Sequence, residues 1–179
     1  MVKKIHHASF IIHHSRRVDT IQKIWQCLDT VYDPEIPVLT VRDLGIVRAV
    51  QPTADGGMEV VITPTYSGCP AMHAIEWDIR AALASNGLAD VGVRTILSPA
   101  WTTDWMSDSG KAKLKAYGIA PPQQGARIDK MLFEGDAQIP CPRCNSLHTE
   151  LVSQFGSTAC KALYRCLDCL EPFDYFKCH

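Results

Sequence analysis

The sequence predicts an α+β domain followed by a small cysteine-rich unit. Three observations carry that expectation. Helical and extended patterns alternate over residues 19–118, a stretch without periodicity spans 119–140, and cysteines crowd from 141 onward. At 179 residues the chain suits one medium domain plus an appendage.

Residues 1–18 carry His6, His7, His13 and His14 but neither a sustained apolar run nor a small-residue cleavage site. They read as a disordered N-terminal extension rather than a secretory leader, so the cytoplasm is the expected compartment. From Asp19 to Tyr32, apolar residues at Ile21, Ile24, Trp25, Leu28 and Val31 follow a helical period, with Asp19 or Thr20 as the cap. Pro34 and Pro37 in "YDPEIP" break it. "LGIVRAVQP" and "MEVVITP" predict two strands joined across "TADGG", a hairpin signal. A helix then runs from Pro70 to about Ser85 on the stripe Met72, Ile75, Ile79 and Leu83. A third strand is expected over Val91–Leu97 and a short helix in "SDSGKAKLKAYG". The segment 119–140, with Pro-Pro, Gln-Gln and two glycines, reads as a linker.

Charge and hydropathy exclude two partner classes. With 18 basic and 19 acidic residues the net charge is -1, which offers no footprint for nucleic acid. No apolar run approaches the roughly 20 residues of a membrane-spanning helix.

Six of the eight cysteines lie between Cys141 and Cys178. "CPRC" at Cys141 and Cys144 and "CLDC" at Cys166 and Cys169 are two Cys-x2-Cys pairs separated by 21 residues. Each pair can turn two sulfurs toward one ion, and four thiolates close a tetrahedral shell, with two disulfides as the alternative. Zinc suits that shell and makes it structural, replacing the core that a unit of about 40 residues cannot bury. Iron in the same shell would make a rubredoxin-like carrier, and the spacing leaves that open. Cys160 and Cys178 remain, as packed or exposed thiols or as ligands of a second site. Phe173 and Tyr175 fall on one face of a strand, as ribbon core or docking surface.

Cys69 stands apart in "PTYSGCPAMHAIEW". With Pro70 at the first helical position, Cys69 becomes the N-cap, where the helix dipole favours a thiolate. Thr63, Thr65, Tyr66 and Ser67 could donate to the sulfur. His73 is the nearest candidate base, and no Cys-x-x-Cys partner exists. The residues alone leave a structural thiol, a metal or cluster ligand, and a nucleophile all open. Asp33 and Glu35 could act as metal ligands or an acid–base pair, or Asp33 could hold a turn with Glu35 exposed. Trp101 and Trp105 flank Asp104, as core lids or an interaction surface, with Asp104 a candidate cap.

"DPEIPVLTVRDLGIV", "PTYSGCPA" and "PAWTTDWM" together resemble the iron–sulfur cluster assembly domain of SufT-like proteins. Domain and C-terminal ribbon, "CPRCNSLHTELVSQFGSTACKALYRCLDCLEPFDYFKCH", are similar in that order to the PaaD (PaaJ) family of D subunits in the phenylacetyl-CoA epoxidase (oxygenase) system. The likeness runs from about Val18 to His179. It implies an accessory role in aerobic phenylacetate catabolism without independent catalysis: maturing the multicomponent oxygenase or inserting iron or an iron–sulfur cluster into it. A standing structural or electron-transfer subunit is the alternative. The family's reactive cysteine falls on Cys69 and its acidic loop on Asp33 and Glu35. Implied partners are the oxygenase subunits or their reductase and the iron–sulfur assembly machinery, with a homodimer left open.

Overall fold

A computed structural model describes residues 5–123 and 138–177, with side chains from residue 17 onward. The architecture is α+β: three α-helices and two separate sheets. Helix α1 (Ile5–Leu28) leads into a long loop and then β1 (Val47–Pro52) and β2 (Met58–Ile62). Helix α2 (Ala71–Ser85) connects β2 to β3 (Gly92–Thr95), a 3-10 turn spans Thr103–Trp105, and α3 (Asp108–Tyr117) closes the first domain. The ribbon comprises β4 (Ile119–Ala120), β5 (Thr149–Ser153), β6 (Lys161–Cys166) and β7 (Pro172–Phe176). No described helix is long and apolar enough to cross a membrane.

The first sheet has the order β1-β2-β3. β1 and β2 pair antiparallel through the expected hairpin, where the Gly56 amide bonds the Thr53 carbonyl at 3.1 Å. β3 lies parallel to β2, which requires a crossover, and α2 supplies it. Ile75, Ile79 and Leu83 recur every fourth residue along α2 and are buried with Val60 and Ile62 of the sheet and Ile24 and Leu28 of α1. Met72 of the expected stripe is only half-buried, and Ala71 takes the buried place one residue earlier.

Three expectations need correction. Helix α1 begins at Ile5, so residues 5–18 continue the helix and Asp19 does not cap it. The physical reason is that residues 5–28 contain neither proline nor glycine to stop it. The helix ends at Leu28, and Tyr32 instead forms an isolated bridge with Thr40. The segment 119–140 is not wholly linker. Ile119 and Ala120 pair in parallel with Asp174 and Tyr175 of β7, and Ile139 is buried in the ribbon core. Residues 124–137 lie outside the described residues, as does Cys178.

Asp43 fastens the loop before β1 to the start of α3. Its carboxylate accepts from Thr40 N–H (3.1 Å), Thr40 Oγ1 (3.0 Å), Ser107 Oγ (3.0 Å) and Lys113 Nζ (2.6 Å). Ser107 in turn caps α3 through the Gly110 amide at 2.8 Å. Gly110 packs against this knot, for a Cβ there would stand 2.9 Å from the Asp43 carbonyl oxygen. Gly45, at φ +68, is more constrained: a Cβ would meet the Trp105 carbonyl oxygen at 2.1 Å. Thr102 caps the short turn through the Asp104 amide, so Asp104 is not the cap expected of it.

Burial pushes the Asp43 carboxyl up, but the hydrogen bonds from Lys113, Thr40 and Ser107 outweigh it and hold the group below the usual carboxylate range. A lowered folded value means that its stabilisation is complete above the unfolded value near pH 4 and fades as pH falls through the folded value. Asp43→Ala is therefore expected to cost about 3 kcal/mol at pH 7. In urea unfolding the gap to the parent narrows at pH 3, and an unchanged gap would contradict this account.

Candidate metal and thiol sites

Two Cys-x2-Cys knuckles form at one end of the ribbon, and they repeat one local geometry. The Cys141 amide bonds the Ser146 carbonyl and the Cys166 amide bonds the Glu171 carbonyl, each at 2.9 Å and each five residues on. The residue after the second cysteine is left-handed in both, Asn145 at φ 61 and Leu170 at φ 62. This turns the two sulfurs of each knuckle to one side.

The four Sγ atoms of Cys141, Cys144, Cys166 and Cys169 all lie within 4.8 Å of one another. Cys144 and Cys166 are 3.5 Å apart, and Cys141 and Cys169 are 3.8 Å apart. A tetrahedron of metal–sulfur bonds near 2.3 Å has edges of about 3.8 Å, so the donor set fits a metal ion. The Cys169 amide reaches Cys166 Sγ at 3.5 Å. That amide is the main reason the Cys166 thiol falls to about 7 despite burial. The Ser146 amide pulls Cys144 down, but burial and the neighbouring sulfurs push it up to about 12. The crowded sulfurs thus shed their first proton readily and the later ones reluctantly, a conflict that a bound cation resolves.

Cys69 sits in the loop that carries β2 into α2. It is half-buried and packs against the main core cluster. The N-cap of α2 is Pro70, at φ -66 and ψ -27, so Cys69 stands one residue outside the cap position expected of it. A tight turn, with the Cys69 amide 3.3 Å from the Tyr66 carbonyl, takes up the residue before the proline and moves the helix start along by one. His73 is exposed on the helix surface. Of the hydroxyls around this loop, Tyr66 is the one whose ionisation the Cys69 sulfur disfavours. The Thr63 hydroxyl is buried without a partner among the described residues.

The acidic loop has two distinct roles. Asp33 Oδ1 accepts from the Glu35 and Ile36 amides at 2.8 and 2.7 Å, an Asx-type turn that orients Glu35. Burial pushes the Asp33 carboxyl up, against those two amides and the charge of Lys161. Glu35 is half-buried, and its Oε2 lies 4.0 Å from the Sγ of Cys160 in the ribbon. Cys160 is 8% exposed and shares a 3.1 Å contact with Thr158 Oγ1. Tyr66 joins the groups electrically. Its hydroxyl is pushed up to about 12, by burial first, then by Cys69, and then by Cys160 and Glu35. The structure thus places Glu35 beside Cys160 of the ribbon, with Tyr66 of the Cys69 loop within electrical reach of both. The lack of a Cys-x2-Cys partner was the signal that set Cys160 apart.

Trp101 and Phe176 show how the two units dock. The Trp101 indole N–H donates to the Leu44 carbonyl at 2.9 Å, and its ring meets Phe176 edge-on at 6.2 Å. Trp101 is buried as a core lid, whereas Trp105 is half-buried beneath Arg48, whose guanidinium lies 3.3 Å over the ring. Phe173 and Tyr175 pack on Tyr164 inside the ribbon, each with ring centroids 5.8 Å apart.

Comparison with known proteins agrees with this division. Residues 21–95 match a family described as iron-sulfur cluster assembly protein, and residues 126–177 match the PaaD zinc beta ribbon domain. A putative D subunit of 1,2-phenylacetyl-CoA epoxidase from Escherichia coli (strain K12) is 51% identical over 158 residues, covering 88% of this chain and 93% of that protein. The chain belongs to the PaaD family. Its first domain alone is 39% identical to an Fe-S protein maturation auxiliary factor from Porphyromonas gingivalis (strain ATCC BAA-308 / W83), over 54% of this chain and 92% of that one. A crystal structure of a domain of unknown function, DUF59, from Bacillus anthracis is 27% identical, with a TM-score of 0.48 over 52% of this chain and 90% of that one. In PaaD-family terms, Cys160 comes from the ribbon and Cys69 from the assembly domain.

The second knuckle yields a prediction about backbone strain. Leu170 is 69% exposed yet left-handed, a conformation that costs an L-residue about 1–2 kcal/mol. Leu170→Gly removes that cost and gives back part of it in chain entropy, so it raises ribbon stability by about 0.5–1 kcal/mol. Urea unfolding followed by ribbon-tyrosine fluorescence measures it, and destabilisation would show that the Leu170 side chain carries packing instead.

Proposed function

We propose that this chain is an accessory subunit of the aerobic phenylacetate pathway, which matures the multicomponent phenylacetyl-CoA epoxidase by delivering iron or an iron–sulfur cluster. The observation that carries the reading is Cys69, a half-buried thiol on the loop between β2 and α2, whose sulfur acts electrically on the Tyr66 hydroxyl. The relatives support both halves of it: one bears an epoxidase-subunit name, another a maturation-factor name.

Each residue has a physical part in the transfer. Cys69 loses its proton to solvent as it takes the cargo, and Tyr66 donates to the sulfur when the cargo leaves. Half-burial lets a client reach the thiol while shielding it from bulk water. Pro70 and the turn from Tyr66 to Cys69 fix the loop that presents it. Among the described residues, His73 is exposed on the helix surface and is not placed as the base of a hydrolytic nucleophile. On this reading the chain acts on its client's metal content, and the oxygenation belongs to the client. Zinc is the ion we assign to Cys141, Cys144, Cys166 and Cys169, where it closes the ribbon and supplies folding energy. The client partners are the oxygenase subunits or their reductase, with the iron–sulfur machinery as donor.

Cys69→Ser is expected to abolish growth on phenylacetate and to lower the iron content of the purified oxygenase, while circular dichroism and thermal unfolding stay unchanged. Full iron occupancy in the variant strain would sink the delivery reading. Normal oxygenase iron together with turnover that depends on this chain would favour a standing subunit. Cys144→Ser should release one zinc per chain by elemental analysis and unfold the ribbon. Retention of zinc and fold would remove Cys144 from the shell.

A further inference from the structure

The second knuckle carries a side chain that its own fold does not explain. Leu170 is 69% exposed and left-handed, at the place where the first knuckle has Asn145. Asparagine visits that conformation readily because its short polar side chain can bond locally, whereas an aliphatic side chain only adds strain. Leu170 belongs to neither core cluster, so packing within the chain does not offset that strain. Strain held at an exposed apolar residue points outward, to a contact made with another molecule.

A cleft of about 260 Å³ opens beside it, between the first domain and the ribbon. Lys115 and Tyr117 of α3 form one wall, and Pro142, Arg143, Glu171 and Pro172 of the two knuckles form the other. Leu170 adjoins the second wall through Glu171, and Tyr117 is itself 53% exposed. We propose that this cleft and Leu170 dock the client protein, by a client segment in which carboxylates flank an apolar side chain. The inference deepens the delivery reading and rests on it, for it names the surface that holds the client while cargo moves.

Charge decides the kind of segment. Arg143 and Glu171 form an ion pair from knuckle to knuckle, so the acid of the cleft is already matched. Lys113 is held by Asp43. Lys111 and Lys115, one turn apart on α3, have no ion-pair partner among the described residues. The surface therefore offers cations without counter-charge beside two exposed apolar side chains, the complement of an acidic segment with an apolar anchor. The cleft is also preformed. Gly118, at φ 93, ends α3, and Ile119 pairs at once with Asp174 of β7, so one strand register sets the helix wall against the ribbon wall. A surface already ordered loses little freedom on docking.

Biolayer interferometry of the zinc-loaded full chain against the purified oxygenase complex and against its reductase, over a range of ionic strength, tests the surface. The parent should bind one of them. Leu170→Gly and Tyr117→Ala should each weaken binding about tenfold, although Leu170→Gly steadies the ribbon. Lys115→Glu should weaken binding at low ionic strength and approach the parent at high ionic strength. Trp77→Ala, on the exposed side of α2 and outside the cleft, should bind as the parent. Zinc content and thermal unfolding show that each variant is folded. Absence of binding by the parent, or parental binding by folded Leu170→Gly and Lys115→Glu, overturns the docking surface. Loss of ribbon stability in Leu170→Gly also overturns it, because the side chain would then be held by its own chain. A parent dimer in sedimentation equilibrium that Leu170→Gly dissolves would give the surface to a second copy instead. If the cleft variants bind as the parent while Cys69→Ser still depletes client iron, only this inference fails. If Cys69→Ser leaves client iron intact, the delivery reading fails, and the affinity series still decides the docking surface.

Discussion

The arrangement depends on the two faces of β7. A strand turns successive side chains to opposite sides. Phe173 and Tyr175 therefore enter the ribbon core while Phe176 meets Trp101 of the first domain. The parallel pairing of β4 with β7 fixes the register of that contact. A ribbon held only by its metal would hang from its linker. This one is built onto the domain by a strand that belongs to both cores, and that docking brings Cys160 to Glu35.

The first domain prepares the matching surface with constraints that converge on one region. Asp33 folds the acidic loop, Gly45 lets Trp105 approach, Leu44 receives the Trp101 indole, and Asp43 ties the loop to α3. These residues come from "DPEIPVLTVRDLGIV" and "PAWTTDWM". Each contact is local or polar, yet the sum is a rigid seat for Phe176 and a fixed acidic turn beside the Cys69 loop. The two thiol environments differ in consequence. The four knuckle cysteines stand close enough to enclose an ion, whereas Cys160 is buried against Glu35 and Cys69 is half-buried on its loop.

Much of the fold was legible because it follows from short-range patterns. The α2 stripe at Ile75, Ile79 and Leu83, the hairpin at "TADGG", and the short helix in "SDSGKAKLKAYG" are all set by neighbours within a few residues. What misled were boundaries. A helix without a stop signal ran back to Ile5, and a proline that could begin α2 became its cap instead, leaving Cys69 one position farther out. Ile119 and Ala120 looked like linker because two residues carry no period, and only pairing with the distant Asp174 and Tyr175 made them β-structure.

By itself the sequence determined the α+β order, the four-cysteine knuckles and the singular position of Cys69, since propensity, periodicity and Cys-x2-Cys spacing act over a few residues. It also marked Asp33, Glu35 and Cys160 as residues with more than one use. Tertiary structure decided among those uses. It gave Asp33 to the turn, picked Tyr66 out of four candidate hydroxyls, and carried Cys160 across the domain boundary to Glu35, 125 residues away in the chain. Such choices depend on which surfaces bury one another, and burial is a property of the packed chain that no local pattern encodes.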